Sequence, residues 1–191
     1  MSDNKKKLLR KALLMILCIL LNICGNKVAK LLQLPFWLDT IGTGITACLY
    51  GPFIGALTGL ATNLLLGISD ILSVYYCFIN VGIGVIIGMF AKKGMCSNVF
   101  SILCVSVVTG IFTVICAVPV NCLMFEGRTS NLWGDALFDM LGRVNLPIPL
   151  KSTLAQLFLD IPDKVISMLC VFGALKLIEK KSPFGKEKSS K

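Results

Sequence analysis

A long stretch of the chain carries no charge and is rich in glycine. No charged residue lies between Asp39 and Asp70, and this run holds six glycines. As one straight helix rising about 1.5 Å per residue, the run would be roughly 45 Å long, too long for a single crossing of a bilayer core about 30 Å thick. Because Gly51 and Pro52 interrupt it near its middle, we predict two short helices that meet there. Short helices are tolerated in a membrane where they pack inside protein, so we expect both in the interior of a helical bundle.

The rest of the chain indicates an integral membrane protein. Its 191 residues are 55% hydrophobic and only 15% charged, which is more apolar surface than a soluble domain of this size can bury. Four further apolar runs have the length of a membrane span, over residues 11–34, 74–91, 98–125 and 154–178. Together with the two short helices, they predict an all-α membrane protein, one domain over 1–191, built as a bundle of six transmembrane helices.

The positions of the charges predict an orientation. The formal net charge is +9 at pH 7, and most basic residues flank apolar runs. This pattern is typical of a membrane orientation signal, so we do not expect nucleic-acid binding. With both termini in the cytoplasm, thirteen of the nineteen basic residues fall on the inner side. The prediction is a multi-pass protein with a basic cytoplasmic start over 1–11, an extracellular loop over 126–152 and a basic cytoplasmic tail over 179–191.

Small residues recur at intervals that suit close helix packing. Gly51, Gly55 and Gly59 are spaced four residues apart, and Asn22 and Asn26 fall on one small, polar face of the first helix. Within a membrane such faces let helix backbones approach closely, because packing drives helix association there. Two interpretations stay open for these five residues. They can pack inside this chain, or they can form a sliding surface on which a partner membrane protein docks.

Polar residues near the predicted outer face form a candidate ligand site. Buried amides and charges need partners, so they face other helices or a cavity. The segment "FLDIPDKVISM" places two aspartates and a lysine around Pro162, where the last helix is predicted to begin. Capping of that helix explains them structurally, and a ligand pocket explains them functionally. The candidate substrate-binding residues are Asp39, Asn80, Asn121, Trp133, Asp139, Arg143, Asp160, Asp163 and Lys164.

The predicted extracellular loop contains a short helical pattern, "WGDALFDMLGR". We interpret it as an amphipathic helix that lies across the outer face as a lid, or as a helix of the membrane interface, a depth that tryptophan favours. If it is a lid over a ligand, Trp133→Ala and Asp163→Ala are expected to weaken binding more than Lys93→Ala.

At this point two segments resemble a known family. The stretch "LPFWLDTIGTGITACLYGPFIGALTGLATN" is similar to the pattern "LP…LDTIGT…A…GP…GA…G…TN" of the substrate-binding S components of energy-coupling factor (ECF) transporters. The "DIPDK" of residues 160–164 agrees with that family as well. Many members carry an A-x-x-x-A motif in the first helix for docking, and this chain departs from the motif with only Ala12 and Ala29 there.

The resemblance implies a transport function in a bacterial cell membrane. An S component of this kind captures a vitamin or another small heterocyclic micronutrient in a pocket at its extracellular face. It then topples in the bilayer against a transmembrane coupling subunit, and two cytoplasmic ATPases drive release inward. The glycine-rich helices and the face of Asn22 and Asn26 would be the docking surface.

Other function classes fit the residues less well. An enzyme is not expected, because the chain has no histidine and offers only acid pairs as catalytic groups. Nor do we expect a cofactor or a metal, since the nine cysteines include no CxxC spacing. A stand-alone secondary transporter of a small metabolite is the closest alternative. An outer mouth with several acids and aromatic rings suits a small, flat, neutral or cationic heterocycle.

Overall fold

The protein is helical throughout the part that the structure describes. The computed structural model describes residues 3–181, so parts of the predicted basic start and of the predicted tail, residues 1–2 and 182–191, lie outside it. The described chain forms α1 (Asp3–Leu31), α2 (Ile41–Tyr50), α3 (Pro52–Gly67), α4 (Leu72–Tyr75), α5 (Cys77–Lys92), α6 (Val99–Met124), α7 (Leu132–Gly142) and α8 (Ile148–Lys181). The prediction of an all-helical fold is confirmed.

Two of these helices are long and apolar enough to cross a membrane. They are α1, over Asn4–Leu31, and α6, over Val99–Met124, while α2, α3 and α5 are shorter apolar helices. One side of α1 carries leucines that no other part of the described chain covers, among them Leu13, Leu17 and Leu20, each more than half exposed. An apolar stripe of this kind is unfavourable in water and suits a lipid environment.

The glycine-rich run is broken at its predicted position. α2 ends at Tyr50, and α3 begins with Pro52 as its first residue. Gly51 between them has φ +89°, in the left-handed region that glycine adopts without steric cost. The two short helices lie inside the bundle, where α2 contacts α1, α3, α5 and α8. The residues of α2 from Gly42 to Ala47 are all buried.

An apolar core joins five of the helices. Its buried side chains come from α1, α2, α5, α6 and α8 and include Cys18, Ile45, Ile83, Ile102 and Val171. Because lipid tails are as apolar as these side chains, close packing rather than removal from water stabilises such a core in a membrane. This core holds the ends of the helices in fixed positions around the site described below.

The glycines of α3 contact a neighbouring helix of the same chain. A Cβ added to Gly59 would lie 2.5 Å from the carbonyl oxygen of Asn80, and one added to Gly84 would lie 2.4 Å from the carbonyl carbon of Gly55. The backbones of α3 and α5 therefore touch, as the packing interpretation of the glycine spacing predicts. Gly55 and Gly59 are buried at this contact. The interpretation of these two residues as a sliding surface for a partner protein is therefore corrected, because they pack against α5 of the same chain.

The polar face of α1 is also occupied. The Nδ2 of Asn22 donates to the hydroxyls of Thr43 and Thr62 at 3.0 and 3.1 Å, and its Oδ1 accepts from the N–H of Gly42. Asn26 is only 3% exposed. The interpretation of this face as a docking surface is corrected too, because the amide of Asn22 has its partners inside the chain and Asn26 is buried.

The last helix begins earlier than predicted. α8 starts at Ile148, so Pro162 lies inside the helix rather than in its first turn. Asp160, Asp163 and Lys164 are then more than three turns from the N-terminus, too far for helix capping. This rules out capping as the explanation of these charges. They are buried in the middle of a long helix, so their environment has to be found in the tertiary structure.

Candidate functional site

A cavity of about 370 Å³ lies at one end of the bundle. It forms where α1, α3 and α6 end and where α2 and α5 begin, beside the first half of α8. Sites for small molecules typically have volumes of about 300–1,000 Å³ and mostly apolar walls with a few polar groups. The apolar and aromatic part of this wall includes Phe36, Trp37, Tyr76, Ile79, Ile83 and Ala117.

The structure brings five of the nine predicted substrate-binding residues together in this wall. A sixth, Asp163, lies directly behind it and contacts the wall through its neighbours. The other three lie on or beside α7 and do not line the cavity. The five lining residues are Asp39, Asn80, Asn121, Asp160 and Lys164.

A chain of hydrogen bonds positions the carboxylate of Asp160. The hydroxyl of Tyr76 donates to Oδ1 of Asn121 at 2.7 Å, and Nδ2 of Asn121 donates to Oε1 of Gln156 at 2.9 Å. Nε2 of Gln156 then donates to Oδ2 of Asp160 at 2.8 Å. Asp160 is completely buried, and its Oδ1 has no hydrogen-bond partner among the described residues. One oxygen of this carboxylate is therefore fixed by the protein, and the other is buried without a partner in the described chain.

Asp163 holds the loop between α1 and α2. Its Oδ1 accepts from the backbone N–H groups of Trp37 and Leu38, both at 2.9 Å, and its Oδ2 accepts from Nζ of Lys164. Leu38 has φ +52°, a left-handed conformation that costs a non-glycine residue about 1–3 kcal/mol unless its surroundings impose it. Asp163 was predicted to bind the ligand, and the structure gives it the role of fixing the wall that carries Asp39.

Asp39 places a second carboxylate in the wall of the cavity. Its side chain is partly buried in the cavity wall and makes no hydrogen bond to another described residue, while its backbone oxygen accepts from Nδ2 of Asn80 at 3.3 Å. Burial raises the pKa of Asp39 above its ordinary value, and the ammonium of Lys164 opposes that rise. The neighbouring hydroxyl of Thr40 is buried and also lacks a partner. Three polar groups of the wall, on Asp39, Thr40 and Asp160, are thus left unsatisfied by the chain.

A second polar network supports the cavity from below. Nδ2 of Asn80 donates to Oδ1 of Asn63 at 2.8 Å, and Oδ1 of Asn80 accepts from the hydroxyl of Thr43 at 3.0 Å. Thr43 in turn accepts from Asn22 of α1. These bonds connect α1, α2, α3 and α5 and satisfy the side chain of Asn80. Asn80 lies in the cavity wall as predicted, but most of its hydrogen-bonding capacity is used inside the chain.

The helix α7 lies over the cavity rim and is fastened to it. Nε1 of Trp133 donates to the backbone oxygen of Gln33 at 2.6 Å, and Nδ2 of Asn131 donates to the backbone oxygen of Leu34 at 3.2 Å. The side chain of Asn131 also caps α7 by accepting from the N–H of Trp133. The helix is present as predicted. Trp133 is half exposed and does not line the cavity, so its contact is with the rim rather than with the cavity interior.

We expect Trp133→Phe to loosen this fastening. The change keeps an aromatic ring but removes the N–H that bonds Gln33, a loss of about 0.5–1.5 kcal/mol. Amide hydrogen exchange across α7 should then become roughly two- to tenfold faster, while exchange in α6 stays unchanged. Met140→Leu, on an exposed position of the same helix, is the control. Equal exchange in the wild-type and Trp133→Phe proteins would show that this bond does not hold α7 down.

Asp139 and Arg143 were predicted at the ligand site and lie outside it. Both oxygens of Asp139 accept from Arg128, at 2.9 and 3.2 Å, in an exposed ion pair. Arg143 is exposed at the end of α7. The reason is the rotation of α7 about its axis. Gly134 and Phe138 face inward, so Asp139 falls on the outer side.

Gln156 is among the lining residues that the sequence analysis missed. Gln156 lies four residues before Asp160 and therefore on the same face of α8. The spacing was visible in the sequence, but the helix was predicted to begin near Pro162, so Gln156 was expected before its start and not on a shared helical face. The start at Ile148 makes the pair part of one continuous surface.

Comparison with known proteins adds no relative. Scans against protein-family models, curated proteins and solved structures found no match to this chain. Within residues 3–181, no group of three or more histidine, cysteine, aspartate or glutamate side chains is arranged to hold a metal ion. The function is therefore inferred from the cavity and from the residues around it.

Proposed function

We propose that this protein is the substrate-capture subunit, or S component, of an ECF-type transporter. It binds a vitamin or small heterocyclic micronutrient at the extracellular face of a bacterial cell membrane. It delivers the ligand inward by toppling against a transmembrane coupling subunit that two cytoplasmic ATPases power. The observation that carries the proposal is the cavity of about 370 Å³, whose wall contains polar groups that the chain itself leaves unsatisfied.

The two segments that resemble S components meet at this cavity. Residues 34–63 supply Trp37, Asp39 and Asn63 to the wall, and residues 160–164 supply Asp160 and Lys164. The two segments are also bonded to each other, because the N–H groups of residues 37 and 38 donate to the carboxylate of residue 163. Because the two segments are in contact, their resemblance to S components supports a single binding site that both of them form.

The arrangement of the helices supports the proposed orientation. In the proposal α1, α2, α3, α5, α6 and α8 are the six crossings, and their connections alternate between the two faces. Lys11, near the start of the chain, has its Nζ 5.4 Å from the ring centroid of Tyr50, at the end of α2 remote from the cavity. With the basic ends of the chain in the cytoplasm, the cavity opens to the outside.

The proposal places the coupling subunit on other residues than those first predicted. Asn22, Gly55 and Gly59 are used in contacts within the chain, so the proposed docking surface does not include them. The outward leucines of α1 leave a broad apolar face that lipid or a membrane partner can cover. The proposed docking of this chain therefore does not use an A-x-x-x-A motif.

Co-purification tests the proposal. The tagged chain is expressed with a coupling subunit and both ATPases of its host, purified in mild detergent and analysed by native mass spectrometry. We expect a complex of all four subunits, with a retained small molecule on the S component. The matched control carries Gly173→Ala, a position where an added Cβ meets nothing within 4 Å. Elution of the wild-type chain without these subunits would contradict the proposal and favour a stand-alone secondary transporter.

A further inference from the structure

The cavity contains more acidic than basic groups. Three carboxylates and two ammonium groups belong to its lining, and the carboxylate of Asp163 lies behind it. Charges removed from water need partners, so the pairing among these groups decides what the cavity still lacks. The lining groups are Asp39, Asp70, Asp160, Lys30 and Lys164.

Both ammonium groups are already paired. Nζ of Lys30 contacts Oδ2 of Asp70 at the rim, where both side chains are partly exposed. Nζ of Lys164 contacts Oδ2 of Asp163, and both side chains are buried. Each pair balances its own charge. The carboxylates of Asp39 and Asp160 remain, and neither forms an ion pair with a described residue.

The unpaired oxygen of Asp160 indicates a ligand that donates hydrogen bonds. Oδ1 is fully buried and has no partner, while Oδ2 accepts from Gln156. If the carboxylate is ionised, Oδ1 is an acceptor that lacks a donor. If Oδ1 is protonated, it is a donor that lacks an acceptor, because no described group lies within hydrogen-bonding distance. A cationic N–H group satisfies the ionised form and also supplies the missing positive charge.

The rest of the wall fits the body of such a ligand. Phe36, Trp37 and Tyr76 are aromatic, and an aromatic face attracts a cation within about 6 Å of its centroid. Ile79 and Ile83 give the apolar part of the wall. A flat or compact organic body can pack there while its charged end reaches the carboxylates.

We propose that the ligand is a small organic cation whose amine, amidine or guanidine group lies between Asp39 and Asp160. Its N–H groups donate to Oδ1 of Asp160, to the carboxylate of Asp39 and to the hydroxyl of Thr40. This inference rests on the proposed function, since it names the class of substrate that the transporter would capture. It excludes anionic micronutrients and leaves neutral ones as weaker ligands of the same cavity.

Three probes of one skeleton test the charge preference. Benzamidine, benzamide and benzoate have nearly the same shape and differ in charge. The purified full chain in mild detergent is titrated with each by isothermal calorimetry, at concentrations up to the millimolar range. We expect benzamidine to bind at least tenfold more tightly than benzamide and benzoate not to bind. Tighter binding of benzoate, equal binding of all three, or no binding of benzamidine would overturn the proposal.

Two isosteric variants test the residues. Asp160→Asn and Asp39→Asn remove a charge with little change of shape, and each should weaken benzamidine binding about tenfold or more. Asp39→Asn keeps the test valid if the buried Asp160 variant fails to fold, because the side chain of Asp39 makes no hydrogen bond inside the described chain. Asp139→Asn is the matched control, a carboxylate outside the cavity, and should bind as wild type. Unchanged affinity in both cavity variants would overturn the proposal.

These results are separable from the test of the transport function. If the chain prefers benzamidine but does not assemble with the ATPases, the cationic ligand stands and the S-component function fails. If the chain assembles with the ATPases but prefers benzoate, the S-component function stands and the cationic ligand fails.

Discussion

Asp163→Ala is expected to be the most destabilising single substitution in the wall of the cavity. It leaves the buried ammonium of Lys164 without its partner and removes the acceptor for the N–H groups of Trp37 and Leu38. Breaking a buried ion pair on one side costs about 3–5 kcal/mol. For a chain of this length that loss lowers Tm by about 10 °C, measured by circular dichroism in detergent.

Two controls separate the ion pair from the loss of a side chain. Asp139→Ala removes an exposed, paired carboxylate and should change stability by less than about 1 kcal/mol. The double variant Asp163→Ala/Lys164→Met removes both buried charges and should recover part of the lost stability. If the double variant is no more stable than Asp163→Ala, the unpaired ammonium is not the cause of the effect.

Gly84→Ala is expected to disrupt the contact between α3 and α5. The new Cβ would lie 2.4 Å from the carbonyl carbon of Gly55 and 2.6 Å from the backbone nitrogen of Ala56. These are backbone atoms, so the two helices have to separate. Overpacking of this kind costs about 1–3 kcal/mol or more. Because Asn80 lies on α5 and Asn63 on α3, the separation should also weaken the network under the cavity.

The same substitution at another helical glycine is the control. Gly173 in α8 has open space where its Cβ would be, so Gly173→Ala should be neutral or stabilise the fold by up to about 1 kcal/mol. Thermal unfolding of both variants in one detergent compares them directly. Equal changes in Tm would show that the close approach of α3 and α5 does not hold the bundle together.

The sequence predicted those features that local chemistry determines. The break at Gly51 and Pro52 follows from a left-handed glycine and a proline that cannot continue the preceding helix. The amphipathic helix α7 follows from the spacing of the apolar residues in its sequence. The candidate residues Asp39 and Asp160 followed from charges placed beside apolar runs, and both lie in the cavity wall.

The features that the sequence did not predict depend on tertiary contacts. Pro162 suggested a helix start, but the packing of the fully buried Leu159 and its neighbours keeps α8 continuous through the proline. The inward face of α7 is selected by the bond from Trp133 to Gln33, a contact between residues 100 positions apart. The spacing of Gly55 and Gly59 is equally compatible with an internal and an external partner, and only the position of α5 distinguishes them.

Uptake into liposomes tests the central claim most directly. The chain is reconstituted with the coupling subunit and both ATPases, with ATP or a non-hydrolysable analogue supplied to the ATPase side. The vesicles are incubated in a complex nutrient extract, and mass spectrometry identifies what they accumulate. We predict that a small cation accumulates only with ATP and only with all four subunits present. Accumulation by this chain alone, without ATP, would contradict the proposal and identify a secondary transporter.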